Sequence, residues 1–132
     1  STHQYPFYPG SGSREEIGTG RGRHFTINVP LSVGSGDAEL IEAFEQELLP
    51  KALTFQPELI LISAGFDAHR DDPLAGLCVT ESGYATLTQL VVQLASRCCP
   101  GRIVSVLEGG YDLAALGRSI EAHLRVLLDT DN

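Results

Sequence analysis

Basic charge is scarce in this chain: Lys51 is its one lysine and the eight arginines are scattered, against 17 acidic residues, for a formal net charge of -8. A nucleic-acid backbone is held by clustered Lys and Arg that displace counterions, so a nucleic-acid partner is excluded as the main business of the protein. The nearest basic cluster, Arg21, Arg23 and His24, reads as a solvated loop. Cysteine is scarce too. Three residues, two of them adjacent as Cys98 and Cys99, form neither a disulfide framework nor a C-x-x-C zinc knuckle, which points to a reducing, cytoplasmic setting. No apolar run approaches the ~20 residues that span a bilayer, and the opening STHQYPFYPG lacks a basic flank followed by an apolar stretch, so neither membrane nor leader is expected. The sequence contains no G-x-S-x-G and no H-E-x-x-H. GTGRG at 18–22 follows no strand and leads into one, so it does not read as a dinucleotide loop, and nucleotide binding is the weakest of the functional readings.

What is present is an α/β pattern. With 132 residues and 42% hydrophobic content the chain has single-domain size, although an enzyme built on a large parallel sheet is normally longer. Glycine and proline concentrate in residues 1–24, which read as a loop region of the length that is often functional. From Phe25 the signals alternate, giving a core over 25–132. FTINVPL at 25–31 reads as a strand closed by Pro30, and Asp37 as the N-cap of a helix with Leu40, Ile41, Phe44 and Leu48 on one face, kinked or ended by Pro50. ELILISAG at 58–65 is an unbroken apolar run that predicts a strand buried on both faces. Thr80 caps a second helix over about 80–98, with Tyr84, Leu87, Leu90, Val91 and Leu94 as its apolar stripe. RIVSVLEGG at 102–110 repeats the buried-strand signal, and Leu113, Leu116, Ile120, Leu124, Leu127 and Leu128 mark a third helix. Strand, helix, strand, helix, strand, helix implies a three-layer α/β architecture with a mostly parallel sheet.

Ligands of parallel sheets bind beyond the carboxyl ends of the strands, where loops converge and helix N-termini point at the site. Two segments leave strands there: SAGFDAHRDDP after the strand ending near Ser63, and LEGGYD after the strand ending near Leu107. In the first, Ser63, Ala64 and Gly65 permit a tight turn that projects Asp67, either as a metal ligand or as a turn-capping carboxylate. Asp71 and Asp72 read as turn caps. In the second, Gly109 and Gly110 permit close approach to a ligand and bring Tyr111 to the mouth of the crevice, as an oxyanion donor or as a ring packed over a helix start. Of the four histidines, His69 alone adjoins these segments, and His123 is expected on a helix flank.

Taken together, the segments STHQYPFYPGSG, EEIGTGRGRHFTINVPL, SAGFDAHRDDPLAGL and LEGGYDL resemble a run of motifs in bacterial class II-like histone deacetylases and acetylpolyamine amidohydrolases, of the arginase/deacetylase superfamily. The resemblance covers nearly the whole chain. It implies that Asp67 is one ligand of a zinc ion and that Tyr111 is the tyrosine that stabilises the tetrahedral intermediate. It implies that Phe7 and Tyr8 form an aromatic wall of the acyl-lysine tunnel, that Leu74, Gly109 and Gly110 lie near its mouth and floor, and that Ser1 and Thr2 help hold a potassium ion. The implied reaction is zinc-assisted hydrolysis of an acetamide, on acetyl-lysine or acetylpolyamine.

The pattern departs from the family in what the sequence omits. The family's other zinc-ligand aspartate, its zinc-ligand histidine and its tandem catalytic histidines belong to motifs N-terminal to Ser1, so the fold is expected as a partial one and the chain as inactive alone. The resemblance also implies that the strand at 25–29 lies apart from the two later strands. Unpaired strand edges then predict a homo-oligomer that covers them, and an inert oligomeric or interaction module is the competing reading.

Overall fold

The computed structural model describes residues 1–129, so the last three positions of the expected core lie outside the described residues. Among these residues two short parallel sheets organise the fold. The first pairs β1 (Thr2–Gln4) with β2 (Val29–Leu31), and the second pairs β3 (Ile60–Ala64) with β4 (Ile103–Leu107). The register of the second runs from Ile60 opposite Ile103 to Ala64 opposite Leu107, so both strands finish at the same end. Neither β1 nor β2 pairs with β3 or β4, in agreement with the expected separation.

Residues 1–24 are not all loop, and the strand expected over 25–31 is shorter. His24 takes a left-handed φ of 73°, the Asn28 side chain donates to the Glu16 carbonyl, and Phe25 packs edge-on against Phe55 at 5.9 Å. The assigned strand is accordingly Val29–Leu31 against β1, with the pairing carried one step further where the Ser1 amino group donates to the Ile27 carbonyl at 2.7 Å. The β1 strand has no apolar alternation to announce it; the Gln4 Oε1 atom, accepting from the Gly76 amide at 2.8 Å, ties it instead to a distant loop.

Helix α1 (Asp37–Ala43) is capped one residue earlier than predicted. Gly36 is the N-cap, its amide donating to Glu39 at 2.8 Å, while Asp37 sits in the first turn. The Asp37 carboxylate instead accepts from both the backbone amide and the hydroxyl of Thr80, at 2.7 and 2.6 Å, joining the starts of α1 and α3 (Glu81–Cys98). Pro50 does not end the helical run. A π turn over Phe44–Leu48 precedes it and runs directly into α2 (Leu49–Phe55), so the wider turn falls where Pro50 lacks the N–H that a regular helix would use.

Thr80 caps α3 as the sequence implied, its hydroxyl accepting from the Gly83 amide. Asp112 does the same for α4 (Leu113–Leu128), accepting from the Ala115 amide at 2.7 Å. The line of α4 that is buried is Ala115, Ser119 and His123, while Leu113, Leu124 and Leu128 are exposed, so His123 is not the flank residue expected. It accepts or donates at both ring nitrogens, to Thr88 on α3 at 2.7 Å and Ser105 on β4 at 2.9 Å.

The core gathers Leu31, Leu40, Ala64, Phe66, Leu77, Val79 and Tyr84. The prediction that β3 and β4 are buried on both faces does not hold. Leu61, Val104 and Val106 are 70%, 47% and 56% exposed, because the helices among the described residues cover one face of this sheet. Continuous apolar runs reported the chemistry of both faces, but not which of them α3 and α4 cover.

Candidate active site

The two loops that leave β3 and β4 are bonded to one another rather than merely adjacent. The Glu108 amide donates to the Ala64 carbonyl at 3.0 Å and the Phe66 amide donates to the Gly109 carbonyl at 2.8 Å, extending the strand pairing past its formal end. Phe66 is buried against Tyr84, ring centroids 5.0 Å apart, and so anchors the turn that presents Asp67. Gly109 faces the Asp67 carboxylate so closely that a Cβ would lie 2.6 Å from Oδ2.

Burial raises the Asp67 pKa above the ordinary carboxylate value, and the neighbouring charges of Asp72 and Glu108 push in the same direction. A cation beside this carboxylate would offset all of these effects, so Asp67 suits a metal donor. Among the described residues no three His, Cys, Asp or Glu side chains converge to hold a metal ion, so a metal at Asp67 would need further donors beyond these residues.

Beyond Asp67 the loop is stiffened by a short bridge in which the Val79 amide donates to the Ala68 carbonyl and the Arg70 amide to the Val79 carbonyl, each at 3.0 Å. His69 is buried there. Its Nδ1 atom accepts from the Asp71 amide at 3.0 Å, which leaves the proton on Nε2, 3.4 Å from the Glu81 carboxylate. The Arg118 guanidinium, bonded to Glu81, holds that carboxylate's pKa down to about 2, and Arg118 also reaches Asp71 at 3.1 Å.

The tyrosine loop turns at Gly110, whose φ of 137° and proximity to Leu116 exclude a side chain. Tyr111 emerges half exposed, and its amide donates to Asp72 Oδ2 at 2.8 Å. The other oxygen of Asp72 accepts from the Leu74 amide at 2.9 Å.

Ser1, Thr2, Phe7, Tyr8, Asp67 and Gly109 line one cleft of about 680 Å³, which lies between β1 and β3 over Leu40, Phe44 and Tyr84. The structure therefore assembles six of the residues singled out in sequence, from three separate segments. Leu74, Gly110 and Tyr111 are not part of that lining; they stand beside it, joined to the Asp67 loop through Asp72. Ser1 Oγ lies 3.0 Å from His3 Nδ1, and His3 Nε2 lies 2.8 Å from the Gly12 carbonyl, which fixes the start of the aromatic loop. In the sequence Asp72 reads as a turn cap and His69 carries no role. The signal for Asp72 was a second carboxylate before a proline, which local spacing alone cannot distinguish from an ordinary turn.

Strands ending together, with a desolvated carboxylate on one loop and a tyrosine on the next, define the class: a layered α/β domain with a cleft bounded by β1, β3 and the loops that leave β3 and β4. The histone deacetylase domain family matches residues 1–127, and the chain belongs to that family. Histone deacetylase 14, chloroplastic, of Arabidopsis thaliana is 46% identical over the whole chain, which covers 31% of that relative. A probable deacetylase of Archaeoglobus fulgidus is 45% identical over 86% of the chain and 32% of its own length. The crystal structure of the HDA15 HD domain superposes with a TM-score of 0.90 at 42% identity, covering 97% of this chain and 36% of that one. The chain thus spans about a third of the length of the curated relatives it matches, and its fold is a partial α/β arginase/deacetylase fold.

Proposed function

We propose that this chain forms part of a deacetylase that hydrolyses the acetamide of acetyl-lysine or an acetylpolyamine, with Asp67 as one zinc ligand and Tyr111 as the catalytic group that binds the oxyanion. The observation that carries the reading is the direct bonding of the Asp67 and Tyr111 loops at the common end of β3 and β4. Zinc, when bound, supplies the Lewis acidity that polarises the acetamide carbonyl. The chain's own residues do the rest. Gly109 leaves room for the Asp67 carboxylate, Phe7 and Tyr8 offer an aromatic wall to an acyl chain, and the Tyr111 phenol donates a hydrogen bond to the oxygen as it gains charge. Leu74 and Gly110 border the path to that phenol. Ser1 and Thr2, at the other side of the cleft, are proposed to help hold potassium as structural support. Three thiols without a disulfide support the cytoplasmic reading, and no helix among the described residues is long and apolar enough to cross a membrane.

With one candidate donor among the described residues, we propose that the 132 residues alone do not turn over. The experiment is acetate release from an N-acetyl-lysine peptide and from an acetylated polyamine, with zinc supplied, by the chain alone and by an assembly that completes the donors around Asp67. Release by the assembly on either substrate supports the reading; no release from either removes it. A second reading, an inert module that self-associates, draws on the exposed apolar face of β3 and β4.

A further inference from the structure

We propose that Asp72 is a positioning residue for the reaction at Tyr111, one buried carboxylate that holds the Tyr111 and Leu74 amides and so sets the phenol and the leucine beside the cleft in one register. The inference rests on the deacetylase reading and adds to it a residue that neither the metal nor the substrate touches.

An ordinary aspartate turn would use one oxygen, as Oδ1 does for the Leu74 amide two residues on. The second oxygen is turned across the fold to an amide 39 residues away, at 2.8 Å. The residue is 8% exposed, and a carboxylate this buried is strongly penalised unless donors satisfy it. Here both donors are backbone amides of residues placed at the site. The Tyr111 loop is consequently pinned on either side of Gly110: the Gly109 carbonyl accepts from Phe66, and the Tyr111 amide donates to Asp72. Two pins around one left-handed glycine fix the direction in which the Tyr111 side chain leaves the backbone. Both pins run to the Asp67 loop, so the proposed oxyanion donor and metal donor are held directly to each other.

Asp72→Asn keeps the shape but offers one acceptor oxygen in place of two, and turns an NH2 group toward one of the two amides. In the 132-residue chain, amide exchange followed by NMR should speed up for Tyr111 and Leu74 by about tenfold or more, with α3 and β3 unchanged. In the zinc-supplied assembly, Asp72→Asn should lower kcat by roughly 10–100-fold, the range seen when groups supporting a site are removed. In a Tyr111→Phe background the same change should lower kcat less than about twofold, because no hydroxyl remains to be positioned. Unaltered Tyr111 exchange, uniform acceleration through α3, or an equal loss of kcat in both backgrounds would overturn the proposal. If the unmutated assembly releases no acetate, the deacetylase reading fails and the catalytic role of Asp72 with it. Acetate release at the unmutated rate by Asp72→Asn removes the role of Asp72 alone.

Discussion

A methyl group at position 109 would meet the Asp67 carboxylate at 2.6 Å, so the carboxylate must shift if it is added. Gly109→Ala is therefore expected to displace Asp67 and weaken zinc binding by roughly 10–100-fold, measured by calorimetric titration of the completed assembly. Folding of the isolated chain should change little, since the displaced group is a half-buried carboxylate that burial already disfavours. Unchanged zinc affinity in Gly109→Ala would mean that Asp67 is not a ligand. At this scale the sequence was informative where chemistry and turn geometry coincide. The sequence put Asp67 on the loop after one strand and Gly109, Gly110 and Tyr111 on the loop after the other, and the structure bonds those loops together; spacing alone left Asp67 open as a turn cap and Tyr111 as a ring packed over a helix start, and their proposed roles come from the family resemblance. The part played by Asp72 was not legible, since its decisive partner is 39 residues away and no local spacing encodes that contact.

At the scale of elements, α3, α4 and β4 meet at His123, whose ring nitrogens are engaged by Thr88 and Ser105 and whose ring stacks edge-on to Phe66. Burial lowers the His123 pKa from its ordinary value of 6.5. The unfolded chain therefore binds the proton more readily, and protonation favours unfolding. The stability contributed by neutral His123 is present above pH 6.5 and is lost as pH falls from there through the lowered folded value. Urea midpoints should fall between pH 7.5 and pH 5.5, and His123→Gln should flatten that slope; an equal slope in the variant would contradict the assignment. The Thr80 cap was legible because a hydroxyl before an apolar stripe is a local signal. The π turn ahead of Pro50 was not, because whether a proline ends a helix depends on how the preceding turn can widen. Three-residue β1 gave no periodicity to read, and it forms because β2 and Gly76 supply partners.

Across the whole molecule, the dominant feature is an uncovered sheet face. Leu61, Val104 and Val106 present adjacent apolar side chains on β3 and β4, and the outer edges of both sheets carry unpaired backbone groups among the described residues. The isolated chain is expected to self-associate, with light scattering reporting a mass above that of one chain. Leu61→Lys with Val104→Lys should shift it toward the monomer; a monodisperse unmutated monomer would contradict the expectation. The layered architecture and the separation of the two sheets were legible, the first from alternating strand and helix signals and the second from the family resemblance. The exposed face was not, since an apolar strand reads the same whether its cover lies in these residues or elsewhere.

Asp67 and Tyr111 are proposed to serve one hydrolytic site. The most direct measurement is the rate of acetate release from an N-acetyl-lysine peptide by the zinc-supplied assembly, compared between the unmutated protein and Tyr111→Phe. Loss of a single oxyanion donor predicts a fall in kcat of about 10²–10³-fold with zinc content unchanged. Tyr111→Phe turning over as fast as the unmutated protein would contradict the account.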